Sequence, residues 1–178
     1  IDAIAHAIES YVSTQRNAVS QMFAQKAWQL LSSGFEKILS DPSNAEARSH
    51  MLLGSHFAGA AIENAMLGAA HACANPLTAH YGITHGVAVG LMLPAVIRFN
   101  GETEDALYQG LGQNSDALAQ KIAAFKEEAN LPVRLRDQEV DQNNLPELAK
   151  EAVEQWTGTF NPRPVSEEDF LKLYETAY

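Results

Sequence analysis

A central segment almost without charge constrains the fold of this chain more than any other feature. From Met51 to Ile97 its sole charged residue is Glu63. The segment does not have the pattern of a membrane span, because histidines, Asn75 and Pro76 interrupt it before about 18 apolar residues accumulate. A stretch this long and this neutral is expected to be buried. We therefore predict that it lies at the centre of the fold.

The flanking segments carry helical patterns. Apolar residues recur at helical spacing within 1–12 and again within 22–38. Amphipathic segments follow towards the C-terminus, separated by Asn, Gly and Pro, and Ser166 with Asp169 is placed to cap the last of them. We find no convincing alternating strand pattern and no internal repeat. The prediction is an all-α fold, with residues 1–178 forming a single multi-helix domain.

Composition limits the class of protein and of partner. The 178 residues are 46% apolar and 19% charged, which is typical of a globular domain. A net charge of -10 argues against nucleic acid or an anionic membrane as partner. The single cysteine, Cys73, excludes a disulfide framework and favours a reducing compartment such as the cytoplasm. Because Ile1 opens a helical pattern with no capping residue before it, we expect a fragment of a longer chain.

Histidines are concentrated in the neutral segment. His71, His80 and His85 lie within GAAHACANPLTAHYGITHG, which has no charged residue. On one straight helix, His71 and His85 would be about 21 Å apart, too far to bind one metal ion. The sequence YGITHG favours a helix break, with Thr84 placed to cap a new helix at His85. A helix–turn–helix corner would therefore make a shared site of His71 and His85 feasible.

A second pair of potential ligands lies near the start of the chain. Asp2 and His6 are spaced i, i+4, so both project from one helix face. Such a pair serves either as two metal ligands or as a hydrogen-bonded pair, and spacing alone leaves both readings open. For His50, His56 and His80 we favour a structural or solvent-exposed role. The sequence contains no zinc-protease, zinc-finger, nucleophile-elbow or dinucleotide-binding motif.

Three stretches together resemble a known family. IDAIAHAIESYVS, LGAAHACANPLTAHYGITHGVAVGLMLPAVIRFN and NPRPVSEEDF resemble the C-terminal helical domain of iron-containing (group III) alcohol dehydrogenases, within the dehydroquinate synthase-like superfamily. The resemblance covers nearly the whole chain. It implies that Asp2, His6, His71 and His85 coordinate one divalent metal ion, usually Fe²⁺ and sometimes Zn²⁺.

The resemblance also implies a reaction. Members of this family interconvert alcohols and aldehydes or ketones by hydride transfer with NAD or NADP, while the metal polarises the substrate oxygen. An N-terminal α/β domain, with a glycine-rich motif that is missing here, binds most of that cofactor. We therefore expect this chain to be inactive alone. Family members are often dimeric or larger, so a homo-oligomer is a further expectation.

One position departs from the family pattern. Many members carry a second histidine four residues after the third ligand, where this chain has Asn75. An amide does not transfer protons at neutral pH, so water, the cofactor ribose or another residue, with His80 as a candidate, would have to do so. Two alternatives stay open: a glycerol dehydrogenase-like or dehydroquinate synthase-like enzyme, and a helical interaction module without metal, in which the histidines are core residues.

Overall fold

The computed structural model describes residues 1–104 and 106–178, and this part of the chain is helical with no β-strand. Its α-helices are α1 (Asp2–Val12), α2 (Ala18–Ser40), α3 (Ala45–Ala65), α4 (Ala69–Tyr81), α5 (His85–Gly101), α6 (Ser115–Glu128), α7 (Leu145–Val153) and α8 (Glu167–Ala177). Short 3₁₀ helices occur at Gln109–Leu111, Leu135–Gln138, Gln142–Asn144 and Trp156–Phe160. The all-α prediction is confirmed. Within the described ranges, no helix has both the length and the hydrophobicity needed to cross a bilayer.

Helix ends follow local sequence signals in most places. Asn44 caps α3 by accepting a hydrogen bond from the Ala47 amide, and Ser166 and Asp169 form a reciprocal capping box at α8, as predicted. The expected side-chain cap at Thr84 is wrong. Although α5 does begin at His85, among the described residues the Thr84 side chain makes no capping hydrogen bond. The carbonyl oxygen of Thr84 closes the turn instead, by accepting from the two amides that start the helix ladder.

The neutral segment is divided between two environments. Its later part forms α4 and α5, and from Ala88 to Ile97 every residue is buried, so the predicted central position is confirmed there. Its first part forms α3, where the prediction is wrong, because Leu52 is 74% and Leu53 44% exposed. Only one face of α3 is covered. A Cβ at Gly54 would lie 2.8 Å from the Leu31 Cγ, so this glycine permits the close contact between α3 and α2.

The break between α4 and α5 lies at a glycine. Helix α4 continues through Pro76 and ends at Tyr81, and Gly82 then adopts a left-handed conformation with φ 63°. This conformation is costly for other residues but not for glycine. The chain reverses at this position and returns as α5, beside α4 and α1. The predicted corner is confirmed.

Lys126, on α6, is a charged residue with very little exposed surface. It is 3% exposed, and its Nζ lies 3.5 Å from the Val133 carbonyl oxygen. Burial lowers the pKa of Lys126 from 10.5 to about 8, although Glu127 and Asp137 act to raise it. The protonated side chain is therefore held in a position that disfavours its charge.

We expect Lys126→Met to raise the free energy of unfolding at pH 7 by about 1–3 kcal/mol. The folded-state pKa lies below the unfolded value, so the unfolded chain binds more protons between pH 8 and 10.5. Wild-type stability should consequently rise with pH in this window, and the variant should lack the rise. Urea unfolding at pH 7 and pH 9 measures both effects. Lys37→Met, at an exposed position, is the control, and an equal change there would contradict the prediction.

Candidate metal centre

Three helices bring the four predicted ligands together. Asp2 and His6 lie on α1, His71 lies near the start of α4, and His85 is the first residue of α5. The Asp2 carboxylate lies between the three imidazoles: Oδ2 is 3.5 Å from His6 Nε2, and Oδ1 is 3.4 Å from His71 Nε2 and 3.9 Å from His85 Nε2. The Gly82 corner thus brings His85 back to His71, with their ring centroids 5.4 Å apart.

The four side chains are not equally close. For Asp2, His6 and His71, one potential ligand atom of each lies within 4.8 Å of the others. The His6 and His71 rings are stacked, with centroids 5.1 Å apart. His85 lies at the edge of this group and approaches it through the Asp2 carboxylate. The arrangement is a compact cluster of three residues, with the fourth predicted ligand beside it.

Two buried atoms in this cluster lack hydrogen-bond partners. Within the described part of the chain, neither Asp2 Oδ1 nor His71 Nε2 has one. The two atoms face each other at 3.4 Å, as a close carboxylate–imidazole pair without hydrogen-bond geometry. Carboxylate oxygens and imidazole nitrogens are ligands for Fe²⁺ and Zn²⁺, and both atoms are directed into the same small space. The residues present therefore fit a divalent cation.

The charges around the cluster also favour a cation. The His71 imidazole, with support from His6 and His85, lowers the pKa of Asp2 from 3.8 to about 2, although burial opposes this. For His71, burial lowers the pKa, but the carboxylates of Glu9 and Asp2 outweigh it and raise the value from 6.5 to about 9. Asp2 is thus ionised at neutral pH, and the space around His71 Nε2 attracts positive charge.

Sequence reasoning missed the carboxylate that holds His71 from its other side. Glu9, on α1, is 4% exposed. Its Oε2 lies 2.5 Å from His71 Nδ1, and its Oε1 accepts a hydrogen bond of 2.7 Å from the Ala70 amide. A Cβ at Gly68 would lie 3.0 Å from Glu9 Oε1, so the glycine leaves room for the carboxylate. The available signal was an acidic residue between Ile8 and Val12 on the apolar side of α1.

Comparison with known proteins identifies the family. A sequence model described as the Fe-containing alcohol dehydrogenase family, C-terminal, matches residues 1–178. The chain belongs to this family. The resemblance given by the three sequence stretches is therefore confirmed, together with the helical C-terminal fold that it implied.

Relatives of this Fe-containing alcohol dehydrogenase domain are longer proteins. The 1,3-propanediol dehydrogenase of Citrobacter freundii is 31% identical over 191 aligned residues, which cover 100% of this chain and 49% of that protein. Two solved structures share the fold. An alcohol dehydrogenase from Oenococcus oeni is 26% identical with a TM-score of 0.93, over 99% of this chain and 50% of that one. A sulfoacetaldehyde reductase from Bifidobacterium kashiwanohense, in complex with NAD⁺, is 26% identical with a TM-score of 0.90. The match covers 99% of this chain and 48% of that one. The chain spans about half the length of the relatives it matches.

Asn75 and His80, the candidates near the site, lie in different surroundings. Asn75 is half-buried one turn after His71, and its Nδ2 donates a 2.9 Å hydrogen bond to Gln155 Oε1. His80 is exposed, and its Nε2 lies 2.7 Å from a Glu151 carboxylate oxygen. Nine residues along α4 place His80 about 13 Å from His71 and on the opposite side of the helix. In this Fe-containing alcohol dehydrogenase domain, Asn75 thus lies one helical turn from His71 and bonds to Gln155, whereas His80 is directed away from the cluster.

A buried asparagine, Asn161, connects the loop of residues 161–164 (the NPRP loop) to the start of α4. Asn161 Oδ1 accepts from the Ala69 amide at 3.3 Å and from Asn100 Nδ2 at 3.2 Å. Its Nδ2 donates to Asn100 Oδ1 and to the Arg163 carbonyl oxygen, both at 2.7 Å. Asn161 therefore holds the first turn of α4, two residues before His71, against the end of α5.

Proposed function

We propose that this chain is the metal-binding half of an NAD(P)-dependent alcohol dehydrogenase, and that Asp2, His6, His71 and His85 hold one Fe²⁺ or Zn²⁺ ion. The observation that carries the proposal is the pair of buried atoms without partners, Asp2 Oδ1 and His71 Nε2, which lie 3.4 Å apart. A cation between them would satisfy both. Membership of the family supports the same ligand set.

The donor set also suits the proposed chemistry. Three neutral imidazoles and one carboxylate carry a net charge of about −1 and leave a divalent cation with excess positive charge. When bound, such a cation supplies Lewis-acid polarisation of an alcohol or carbonyl oxygen. Asp2 contributes the negative charge, and the histidines must be neutral to act as ligands. The proposed substrates are small alcohols and the corresponding aldehydes or ketones, a class to which the names of the relatives point.

The proposed hydride carrier is NAD or NADP, held mainly by an N-terminal α/β domain outside this chain. The solved sulfoacetaldehyde reductase, twice as long, is in complex with NAD⁺. The present sequence lacks a glycine-rich dinucleotide motif, and residues 1–104 and 106–178 contain no strand that could carry one. We therefore propose that the 178-residue chain alone does not turn over alcohols. A homo-oligomeric assembly stays a prediction.

Asn75 affects how a proton would leave this site. Its side chain is an amide, whose Nδ2 donates to Gln155 Oε1, and an amide neither accepts nor releases a proton at neutral pH. We propose that water or the cofactor ribose, and not Asn75, moves the proton.

Metal content is the direct test of the proposed site. We expect about one Fe²⁺ or Zn²⁺ per wild-type chain by elemental analysis after anaerobic preparation. His71→Ala should lose the metal, because it removes a buried ligand. His50→Ala should retain it, since His50 lies on α3 beside Ser33 and Glu46.

Two results would contradict the ligand assignment. One is loss of metal in His50→Ala alone, and the other is absence of metal both in this chain and in a chain that includes the N-terminal domain. Activity of the longer chain with short alcohols and NAD or NADP then separates an alcohol dehydrogenase from a superfamily relative with other chemistry.

A further inference from the structure

Glu9 connects α1 to α4 through both of its carboxylate oxygens. Oε1 accepts from the Ala70 amide, and Oε2 lies against His71 Nδ1. The contact is buried: Glu9 is 4% and His71 2% exposed. A glutamate enclosed in this way needs hydrogen-bonding partners to offset the loss of hydration. Both partners belong to the first turn of α4, which carries the proposed metal ligand.

The hydrogen-bonding capacities of these groups fix the orientation of His71. A carboxylate only accepts hydrogen bonds, so the neighbouring Nδ1 must carry a proton. In the neutral imidazole, the lone pair then lies on Nε2. This is the atom that faces Asp2 Oδ1 and has no hydrogen-bond partner within the described residues.

We infer that Glu9 is a positioning residue for the metal centre: it accepts the Nδ1 proton of His71 and directs the Nε2 lone pair towards Asp2. Carboxylates that bind the second nitrogen of a ligating histidine orient the ring and increase its basicity. The inference deepens the proposed function and rests on it for the role of the metal. The hydrogen-bonding of His71 by Glu9 does not depend on a metal.

Glu9→Gln separates this role from simple space filling. A carboxylate offers acceptors on both sides, whereas an amide offers one acceptor and one donor group. If the side-chain oxygen of the introduced Gln still accepts the hydrogen bond from the Ala70 amide, the Gln NH₂ group faces His71 Nδ1. This arrangement favours the His71 tautomer that is protonated on Nε2. The change in volume is minimal. Glu63→Gln, at an exposed position on α3, is the matched control.

The first readout is the His71 tautomer in the metal-free chain. Two-dimensional ¹⁵N NMR at about pH 10, above the His71 pKa of about 9, reports which nitrogen carries the proton. The imidazole ¹⁵N signals that disappear in the spectrum of His71→Gln are assigned to His71. We expect the proton on Nδ1 in the wild type and in Glu63→Gln, and on Nε2 in Glu9→Gln. A wild-type proton on Nε2 would overturn the inference.

The second readout is Zn²⁺ affinity, measured by competition with a chromogenic chelator. We expect Glu9→Gln to bind Zn²⁺ about 10–100-fold more weakly than the wild type, and Glu63→Gln to match the wild type. Equal affinity in Glu9→Gln would overturn the role in metal binding. If no variant bound Zn²⁺ while the tautomer still changed, the proposed metal site would fail and the positioning of His71 by Glu9 would stand. If Glu9→Gln did not fold, the wild-type tautomer alone would decide the inference: a proton on Nδ1 would support it and a proton on Nε2 would overturn it.

Discussion

Adding Zn²⁺ to the metal-free chain should raise its free energy of unfolding by about 4 kcal/mol once free Zn²⁺ reaches roughly 1,000 times its dissociation constant. The expected effect is large because only the folded chain would present the proposed site. Asp2 and His6 come from α1, whereas His71 and His85 come from α4 and α5. Unfolding separates these ligands, so the free energy of Zn²⁺ binding adds to the free energy of unfolding. For a chain of this size, the corresponding rise in Tm is about 8–16 °C.

Thermal and urea unfolding with and without Zn²⁺ measure this shift. Each variant is compared with itself, because removing the His71 ring also leaves the buried Glu9 carboxylate without a partner and lowers the starting stability. His71→Ala should show almost no Zn²⁺-dependent rise, and His50→Ala should show the full rise. An undiminished rise in His71→Ala would mean that Zn²⁺ stabilises the chain from another position.

Local features of the fold follow from the sequence because their causes are local. Apolar spacing, asparagine and serine caps, and the glycine at 82 each act within a few residues. This is why the all-α fold, the capping box at Ser166 and the corner before His85 are confirmed. Thr84 shows where such signals fail. Threonine is suited to side-chain capping, but here the Thr84 carbonyl oxygen accepts from the first free amides of α5 and the side chain does not.

Features that depend on contacts between residues far apart in the sequence were harder to predict from it. Glu9 and His71 are 62 positions apart in the chain, so no spacing rule pairs them. The exposure of Leu52 and Leu53 depends on which side of α3 faces α2, and a segment whose sole charge is Glu63 does not mark its exposed face with a stripe of charged residues. For the metal centre, the spacing of Asp2 and His6 left two interpretations open. The four-residue ligand set came from the family resemblance, and the structure brings its members together.

The second large effect is expected at Asn161. Asn161→Ala should lower the free energy of unfolding by about 3–5 kcal/mol. The substitution removes four hydrogen bonds in a buried site and leaves the Ala69 amide, the Asn100 side chain and the Arg163 carbonyl short of partners. Urea unfolding measures the loss. Asn64→Ala is the control, because the Asn64 side chain is exposed and donates to the Ala60 carbonyl oxygen of its own helix.

The position of Asn161 predicts a second consequence, at the proposed metal centre. Asn161 and Glu9 accept from consecutive amides, those of Ala69 and Ala70, and so hold the same turn of α4. Loss of Asn161 should increase hydrogen exchange at the Ala69 amide and weaken Zn²⁺ binding, because the turn of α4 that carries His71 then loses one of the two side chains that accept from its amides. Destabilisation with unchanged exchange at Ala69 would mean that Asn161 supports the NPRP loop and α5 but not the start of α4. Zn²⁺ affinity should then equal that of the wild type.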